Sequence, residues 1–214
     1  MMKTILCYGD SLTYGANPDG TGRHAYEDRW PSALGAGLGL DKVRIIAEGL
    51  GGRTTAFDDH SALADRNGVR LLPTLLSSHQ PLDCVVIMLG TNDLKTYLSG
   101  SAFASAMGMK RLVEIVRTHP YDEGFPMPEI VLVSPPLCVP TEHADLSPMF
   151  QHGLKESHEF AGHYKRVAEE LGCAYFDAAT VAKASPLDGV HLDAENTRAI
   201  GTGLVPVVRK LLAL

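Results

Sequence analysis

The feature that most constrains this chain is a series of five short apolar runs, rich in β-branched residues, spread along its 214 residues. These runs lack the regular alternation of polar and apolar residues that marks a strand with one exposed face. Continuous apolar runs of this length are typical of strands in a parallel sheet covered on both faces. The predicted strands are Lys3–Tyr8, Val43–Ala47, Cys84–Leu89, Ile130–Ser134 and Ala174–Asp177.

Segments with helical periodicity lie between these runs. The predicted helices are Pro31–Leu38, the second half of Ala62–Ser78, Ala102–Thr118, Lys155–Leu171, and a last helix from an N-cap at Asp193 to Leu214. Pro206 falls inside the last pattern and is expected to kink that helix or split it in two. Alternating strands and helices imply right-handed crossovers and a three-layer α/β/α sandwich around a central five-stranded parallel sheet. No linker or repeat interrupts the pattern, so we expect one domain over residues 1–214.

Composition excludes several classes of partner. The net charge of −6, with Lys and Arg scattered, argues against binding to nucleic acid or to an anionic membrane surface. No apolar stretch has the length of a membrane span, and Ile5–Tyr8 is too short for a signal-peptide core. The four cysteines are widely spaced, which favours free thiols over disulfides or a zinc site. We therefore expect a cytoplasmic protein.

Chemically useful residues follow four of the strands. Ser11 comes directly after the first strand, Gly52 follows the second, Asn92 follows the third, and Asp188 and His191 come after the fifth. Because a parallel α/β sheet binds ligands at the carboxyl ends of its strands, these residues are expected to meet at one edge. A serine nucleophile needs a neutral imidazole to take its proton and a carboxylate to pair with the imidazolium. Backbone and amide N–H groups would stabilise the oxyanion.

Each of these residues also has a plainer interpretation. A helix N-cap after a Gly-Asp turn explains Ser11 taken alone equally well. Asp188 can be read as a loop cap, His191 as a packed loop histidine, and Asn92 and Gly52 as turn residues. The agreement of four separate segments on one chemistry favours acyl transfer over these readings.

The chain resembles the GDSL esterases of the SGNH hydrolase superfamily in four ordered blocks that span nearly its whole length. The blocks are Gly9-Asp10-Ser11-Leu12, Gly52, Gly90-Thr91-Asn92-Asp93 and Asp188-Gly189-Val190-His191. The resemblance implies a flavodoxin-like fold with Ser11 as nucleophile, His191 as base and Asp188 as its partner. It also implies an oxyanion hole of Ser11, Gly52 and Asn92, and neither a metal nor an organic cofactor.

Within the superfamily, the stretches around Ser11, Gly52 and Asn92 look like those of bacterial arylesterases and acyltransferases, also described as perhydrolases. This implies hydrolysis of short aryl or alkyl esters through an acyl-enzyme, with acyltransferase or perhydrolase side activity, and a homo-oligomer such as an octamer. The expected partner is a small-molecule ester, bound by Leu12, Tyr14, Thr91, Phe150 and Val190. Tyr14 stands where this subgroup often has tryptophan, and Ala16 where it has a second bulky aromatic residue.

Two alternative functions remain open. A carbohydrate O-deacetylase would use the same residues in a more polar cleft, and comparing acetylated sugars with aryl esters would separate the two. A catalytically silent sugar- or lipid-binding module belongs to another class. It would not require the complete set of Ser11, Asp188 and His191.

Other polar residues are assigned structural roles. Asp10 and Asp93 are expected to order their loops through hydrogen bonds to backbone groups. Arg53, Asp58 and Asp59 are expected to form loop salt bridges or interface contacts, and Tyr97 is expected in the core or at the rim of the pocket. The spacings of four histidines fit no strong metal motif, so we expect them on a solvated loop and helix face: His143, His152, His158 and His163.

Overall fold

A computed structural model describes residues 2–214 and contains one five-stranded parallel sheet with the strand order β2-β1-β3-β4-β5. The strands are β1 (Lys3–Gly9), β2 (Val43–Gly49), β3 (Cys84–Met88), β4 (Glu129–Ser134) and β5 (Ala174–Asp177). The predicted α/β class and the five predicted strands are confirmed. The first two strands run one or two residues further than expected because Gly9 and Gly49 continue the pairing.

Eight α-helices connect and cover these strands in residues 2–214. They are α1 (Ser11–Tyr14), α2 (Trp30–Leu38), α3 (Gly68–His79), α4 (Ala102–Thr118), α5 (Leu146–Met149), α6 (Gly153–Glu156), α7 (Phe160–Leu171) and α8 (Ala194–Leu212). Short 3₁₀ turns occur at Tyr26–Asp28, Thr91–Leu94, Ser157–Glu159 and Ala178–Thr180.

Two apolar clusters, one on each face of the sheet, make the three-layer arrangement. One cluster joins residues of β1, β3 and β4 to α2 and α8, and the other joins the same strands to α3, α4 and α7. Every residue of the central strand β3 is buried. Covering both faces explains why the strand sequences are continuously apolar.

Two helix predictions need correction. Asp193 caps α8 as predicted, since its side chain accepts a hydrogen bond from the backbone N–H of Asn196 at 2.8 Å. However, α8 continues through Pro206 as one helix, so of the two expected outcomes the split does not occur. Pro206 and the residue four positions before it, Thr202, lie on the exposed face, where water can hydrogen-bond to the carbonyl that proline leaves without a donor. Buried neighbours such as Val205 hold the helix on the core.

The predicted helix Lys155–Leu171 is divided into α6, a 3₁₀ turn and α7. Contacts with other loops hold the segment before α7. The buried Ser157 hydroxyl accepts a hydrogen bond from the backbone N–H of Cys138 at 3.1 Å, and the Glu156 carboxylate accepts one from Ala102 at 3.0 Å. Helical periodicity in the sequence does not report such long-range contacts.

Two further predictions concern cysteines and membrane segments. All four cysteines are free thiols, and Cys7, Cys84 and Cys138 are buried. No helix within residues 2–214 is long and apolar enough to cross a membrane.

Candidate active site

Three side chains from opposite ends of the sequence form a continuous chain of hydrogen bonds at the carboxyl edge of the sheet. Ser11 is the first residue of α1, directly after β1, while Asp188 and His191 lie in the loop before α8. His191 Nε2 is 2.9 Å from Ser11 Oγ, and His191 Nδ1 is 2.5 Å from Asp188 Oδ2. The structure therefore brings together the three residues that the sequence predicted would meet.

Local backbone features hold each of these side chains in place. Asp10 caps α1 by accepting a hydrogen bond from the N–H of Leu12 at 2.9 Å, which keeps Ser11 at the helix start. Gly9 must be a glycine because a Cβ there would lie 2.0 Å from Thr13 Oγ1. Asp188 Oδ1 accepts the backbone N–H groups of Val190 and His191, at 3.0 and 2.9 Å, and these bonds shape the loop.

The electrostatics of the pair favour an ionised Asp188. Burial alone would raise its pKa, but hydrogen bonds from the His191 ring and from the backbone N–H groups of Val190 and His191 outweigh that effect and hold the pKa below its ordinary value. An ionised carboxylate can only accept, so the proton of a neutral His191 lies on Nδ1. His191 Nε2 is then free to accept the proton of Ser11.

Of the three predicted oxyanion donors, Ser11 begins α1 and the other two lie on neighbouring loops. Gly52 lies in a turn after β2 with a φ of 82°, a conformation that favours glycine. Asn92 lies in the 3₁₀ turn after β3, and its Nδ2 donates to Asp10 Oδ2 at 3.3 Å and to the Arg53 carbonyl at 3.2 Å. Both distances are long for such bonds, so the amide group is only weakly engaged by the protein.

Two buried carboxylates support these loops, in line with the structural role predicted for them. Asp93 accepts hydrogen bonds from the backbone N–H of Thr55 at 2.9 Å and from its hydroxyl at 2.6 Å. Burial raises the pKa of both Asp10 and Asp93 to about 6, and the neighbouring Asp10 charge contributes to the shift of Asp93. Two carboxyl groups therefore lie directly beneath the site, and burial makes the charged form of each energetically unfavourable.

A cleft of about 670 Å³ opens over Ser11 and His191. Of the predicted substrate contacts, Tyr14, Phe150 and Val190 line it, as do Ala16 and Tyr97. The structure places the other two elsewhere. Leu12 is 3% exposed and packs in the core beside α2 and α8, while Thr91 is buried with a hydroxyl that has no hydrogen-bond partner among residues 2–214. We therefore do not retain Leu12 and Thr91 as substrate contacts, because α1 and the 3₁₀ turn direct their side chains inward.

Arg53 is buried, which corrects its expected role as a loop salt bridge or interface residue. Its Nη1 donates to the carbonyl of Gly9 at 2.7 Å and to the carbonyl of Glu48, which ties the ends of β1 and β2 together. Its guanidinium carbon lies 4.3 Å from the centre of the Tyr8 ring. Arg53 thus holds the strand end from which Ser11 projects. By contrast, Asp58 and Asp59 do form salt bridges within their loop region, as predicted.

Sequence reasoning missed three polar cleft residues, Ser61, Arg66 and Lys95, and the apolar Leu146 and Met149. Arg66 lies in the irregular segment between β2 and α3, and no motif surrounds it. Its guanidinium is close to Gly52, where an added Cβ would lie 2.5 Å from Arg66 Nε. Only the folded path of the loop reveals this contact.

No group of three or more His, Cys, Asp or Glu side chains within residues 2–214 is arranged to hold a metal ion. His143, His152 and His158 are exposed and His163 is half-buried. These four side chains lie on the loop and helix face where the sequence predicted them.

An α/β/α sandwich with a Ser-His-Asp chain at the carboxyl edge of its sheet has the arrangement of a serine hydrolase. A family model described as the GDSL-like lipase/acylhydrolase family matches residues 7–198. The chain belongs to this family, and the resemblance seen in the sequence is confirmed.

Solved structures that are similar over their whole length include two from Sinorhizobium meliloti. A carbohydrate acetylesterase family member is 54% identical, with a TM-score of 0.97 over 100% of both chains. Est24, a carbohydrate acetylesterase, is 39% identical, with a TM-score of 0.92 over 98% of this chain and 99% of its own. The M. smegmatis aryl esterase is also 39% identical, with a TM-score of 0.91 over the same shares. No curated protein gives a significant match. Family and neighbours together identify this chain as an esterase.

Proposed function

We propose that this esterase cleaves short-chain carboxylic esters with Ser11 as nucleophile, His191 as general base and Asp188 as the partner of His191. The observation that carries the proposal is the unbroken chain of hydrogen bonds from Asp188 Oδ2 through the imidazole to Ser11 Oγ. The lowered pKa of Asp188 supplies the ionised carboxylate that this arrangement requires.

The proposed reaction has two halves. Ser11 Oγ attacks the ester carbonyl carbon while its proton moves to His191 Nε2. The alcohol then leaves with that proton, and the acyl group remains bound to Ser11. In the second half, water loses a proton to His191 and attacks the acyl-enzyme, which releases the carboxylic acid and restores Ser11. Asp188 stabilises the imidazolium formed in each half.

Three donors are proposed to stabilise the oxyanion of each tetrahedral intermediate: the N–H of Ser11, the N–H of Gly52 and the side-chain amide of Asn92. The position of Asn92 supports its role, since its Nδ2 lies within 3.3 Å of Asp10, the residue before Ser11, and can exchange one of its two acceptors for the oxyanion. Each such donor is worth about 3 kcal/mol of barrier in enzymes of this chemistry.

The proposed acyl-binding region is the apolar part of the cleft. Leu146, Phe150 and Val190 line the cleft and also line a second cavity of about 80 Å³ next to Asp188. Within this region we expect acetyl to butyryl esters to be preferred over longer ones.

A carbohydrate O-deacetylase is the second candidate. Part of the cleft is polar, with Ser61, Arg66 and Lys95 beside the half-exposed ring of Tyr97. Sugars are commonly bound by such a mixture of hydrogen-bonding groups and an aromatic face. Two of the similar solved structures are described as carbohydrate acetylesterases, which adds support. Relative kcat/KM on acetylated sugars and on phenyl acetate ranks the two substrate classes. A silent binding module is disfavoured because binding alone needs no aligned Ser11, His191 and Asp188.

Acyl transfer to other alcohols or to peroxide is proposed as a side activity, measurable as transester or peracid product alongside the free acid. We also propose a homo-oligomer in the cytoplasm that acts on small molecules, without nucleic acid or a membrane as partner. The oligomer is proposed from the resemblance to the arylesterase subgroup, and the four free thiols fit a reducing compartment. Light scattering of the purified protein tests the oligomer directly.

Hydrolysis of phenyl acetate and phenyl butyrate by the wild type and by Ser11→Ala tests the main proposal. We expect the variant to lose at least about a thousandfold in kcat/KM while keeping its melting temperature, because the nucleophile is gone and the fold is untouched. Equal rates in the two proteins, or no hydrolysis by either, would refute the proposal.

A further inference from the structure

The cleft carries two cations and no carboxylate among the described residues 2–214. Arg66 and Lys95 both line it, and the other ionisable groups that line it are His191 and two tyrosines. This distribution runs against the composition of the chain, which has 25 acidic residues and 19 basic ones. The sign of the charge at the cleft is therefore opposite to that of the whole protein.

Both cations share a single buried anion, the side chain of Asp59. Asp59 Oδ2 accepts hydrogen bonds from Lys95 Nζ at 2.7 Å and from Arg66 Nη1 at 3.0 Å. Its other oxygen accepts the backbone N–H and the hydroxyl of Ser61, at 3.0 and 2.6 Å. Burial would raise the pKa of Asp59, but these hydrogen bonds outweigh it and hold the pKa well below its ordinary value. The carboxylate of Asp59 is therefore fully engaged by these four hydrogen bonds.

Hydrogen-bond donors remain unused on both cations. Lys95 is buried, with a side chain 6% exposed, and Asp59 is the only acceptor for its three N–H groups among residues 2–214. Arg66 uses Nη1 alone, for Asp59 and for the Ser61 hydroxyl, so its Nε and Nη2 have no acceptor in the same part of the chain. Because the guanidinium lies against Gly52, these unused donors lie close to the proposed oxyanion donors.

We propose that Arg66 and Lys95 form a subsite for an anionic group, a carboxylate carried on the alcohol part of the ester. The proposal rests on the ester hydrolysis argued above. The apolar residues shared with the second cavity suit the acyl chain, which leaves the cationic wall to the alcohol part. A planar guanidinium edge matches the two oxygens of a carboxylate. Sugar hydroxyls would also accept these hydrogen bonds, but a carboxylate accepts two of them at once in charge-assisted form.

The test compares substrates that have the same acyl group and nearly the same shape but differ in charge. The 3- and 4-acetoxybenzoates and the matching 3- and 4-acetoxybenzamides carry the same acetyl group, so all four form the same acyl-enzyme. For the wild type we expect kcat/KM on at least one benzoate to exceed that on its amide by about tenfold. Rising KCl concentration should reduce this preference, because salt screens the attraction.

Arg66→Gln should lower the benzoate-to-amide ratio of kcat/KM by about tenfold, and Arg66→Lys should restore part of it. The ratio is measured within each protein, so a smaller folded fraction in a variant cancels. Arg70→Gln is the matched control. Arg70 belongs to the same region of the chain but pairs with Asp58 and Asp65 outside the cleft, and its removal should leave the wild-type ratio intact.

Different failures have different meanings. A wild-type enzyme that hydrolyses phenyl acetate but shows no preference for either benzoate would overturn the subsite alone. So would an Arg66→Gln enzyme that loses activity equally on benzoate and amide, which would indicate that Arg66 positions Gly52 instead. A wild-type enzyme that is inactive on phenyl acetate would overturn the proposed function together with this inference.

Discussion

Replacing Asp188 by asparagine separates the two contacts that this side chain makes. Asp188 Oδ1 accepts two backbone N–H groups that shape the loop, and Asp188 Oδ2 accepts the proton on His191 Nδ1. Asparagine retains a carbonyl oxygen for the first contact but presents an N–H₂ group at the second. An N–H facing another N–H is unfavourable, so His191 is expected to move its proton to Nε2 and accept from the amide at Nδ1. In that form Nε2 can no longer take the proton of Ser11.

The expected loss follows from this change of tautomer. The same substitution in a serine protease triad lowers kcat by about 10⁴ with the geometry retained, and we expect a loss of about 10³–10⁴ here. At 1.36 kcal/mol for each factor of ten, this corresponds to about 4–5 kcal/mol of barrier. The loop contacts through Oδ1 persist, so the free energy of unfolding should fall by only about 1–2 kcal/mol.

The assay is kcat/KM on phenyl acetate near neutral pH, with urea unfolding of the same preparation as a check on the fold. Ser11→Ala is the reference for complete loss of the nucleophile. An Asp188→Asn enzyme that keeps a tenth or more of wild-type kcat while folding normally would refute the reasoning. It would mean that the contact of Asp188 with His191 does not set the tautomer.

Two further substitutions probe the loops around the site. Gly52→Ala should lower kcat by about 10–100-fold. The φ of 82° at this position disfavours alanine, and the new Cβ would lie 2.5 Å from Arg66 Nε. Relief of this strain would move the backbone N–H that serves as an oxyanion donor. Gly51→Ala adds a methyl group in open space, and a comparable loss there would contradict the argument. Asp93 takes up its proton at a pKa of about 6, above the ordinary 3.8, so its contribution to stability is present at pH 4 and is lost as the pH rises through 6. The free energy of unfolding should therefore fall less between pH 4 and pH 7 in Asp93→Asn than in the wild type, by about 3 kcal/mol at most. Urea unfolding at the two pH values measures this difference. An equal fall in both proteins would show that Asp93 does not cause the pH dependence of stability.

The sequence alone was sufficient to predict the strands and the segments that meet at the site. Strands such as Cys84–Met88 are buried on both faces, so their apolar character is continuous and readable without a structure. In a parallel sheet the carboxyl ends of the strands lie on one edge, so residues following different strands must come near each other. That rule brought Ser11, Asn92 and His191 together before any distance was known.

Helix continuity was less predictable because it depends on contacts between distant segments. Pro206 indicated a break in α8, yet its exposed position leaves the affected carbonyl to water and the helix continues. Ser157 lies in a stretch with helical periodicity, yet its hydrogen bond to Cys138 belongs to a 3₁₀ turn. Periodicity records which face of a helix is apolar, but it does not show hydrogen bonds to water or to distant segments.

The chemical class of this protein was determined by its sequence, because catalytic acyl transfer needs a few residue types in a fixed order of strand ends. The detailed character of the cleft was decided only by the tertiary structure. Leu12 points into the core, Arg53 ties two strand ends together, and Arg66 and Lys95 share Asp59 at the cleft wall. Such positions follow from the paths of irregular loops and from the directions of individual side chains, which have no repeating pattern along the chain.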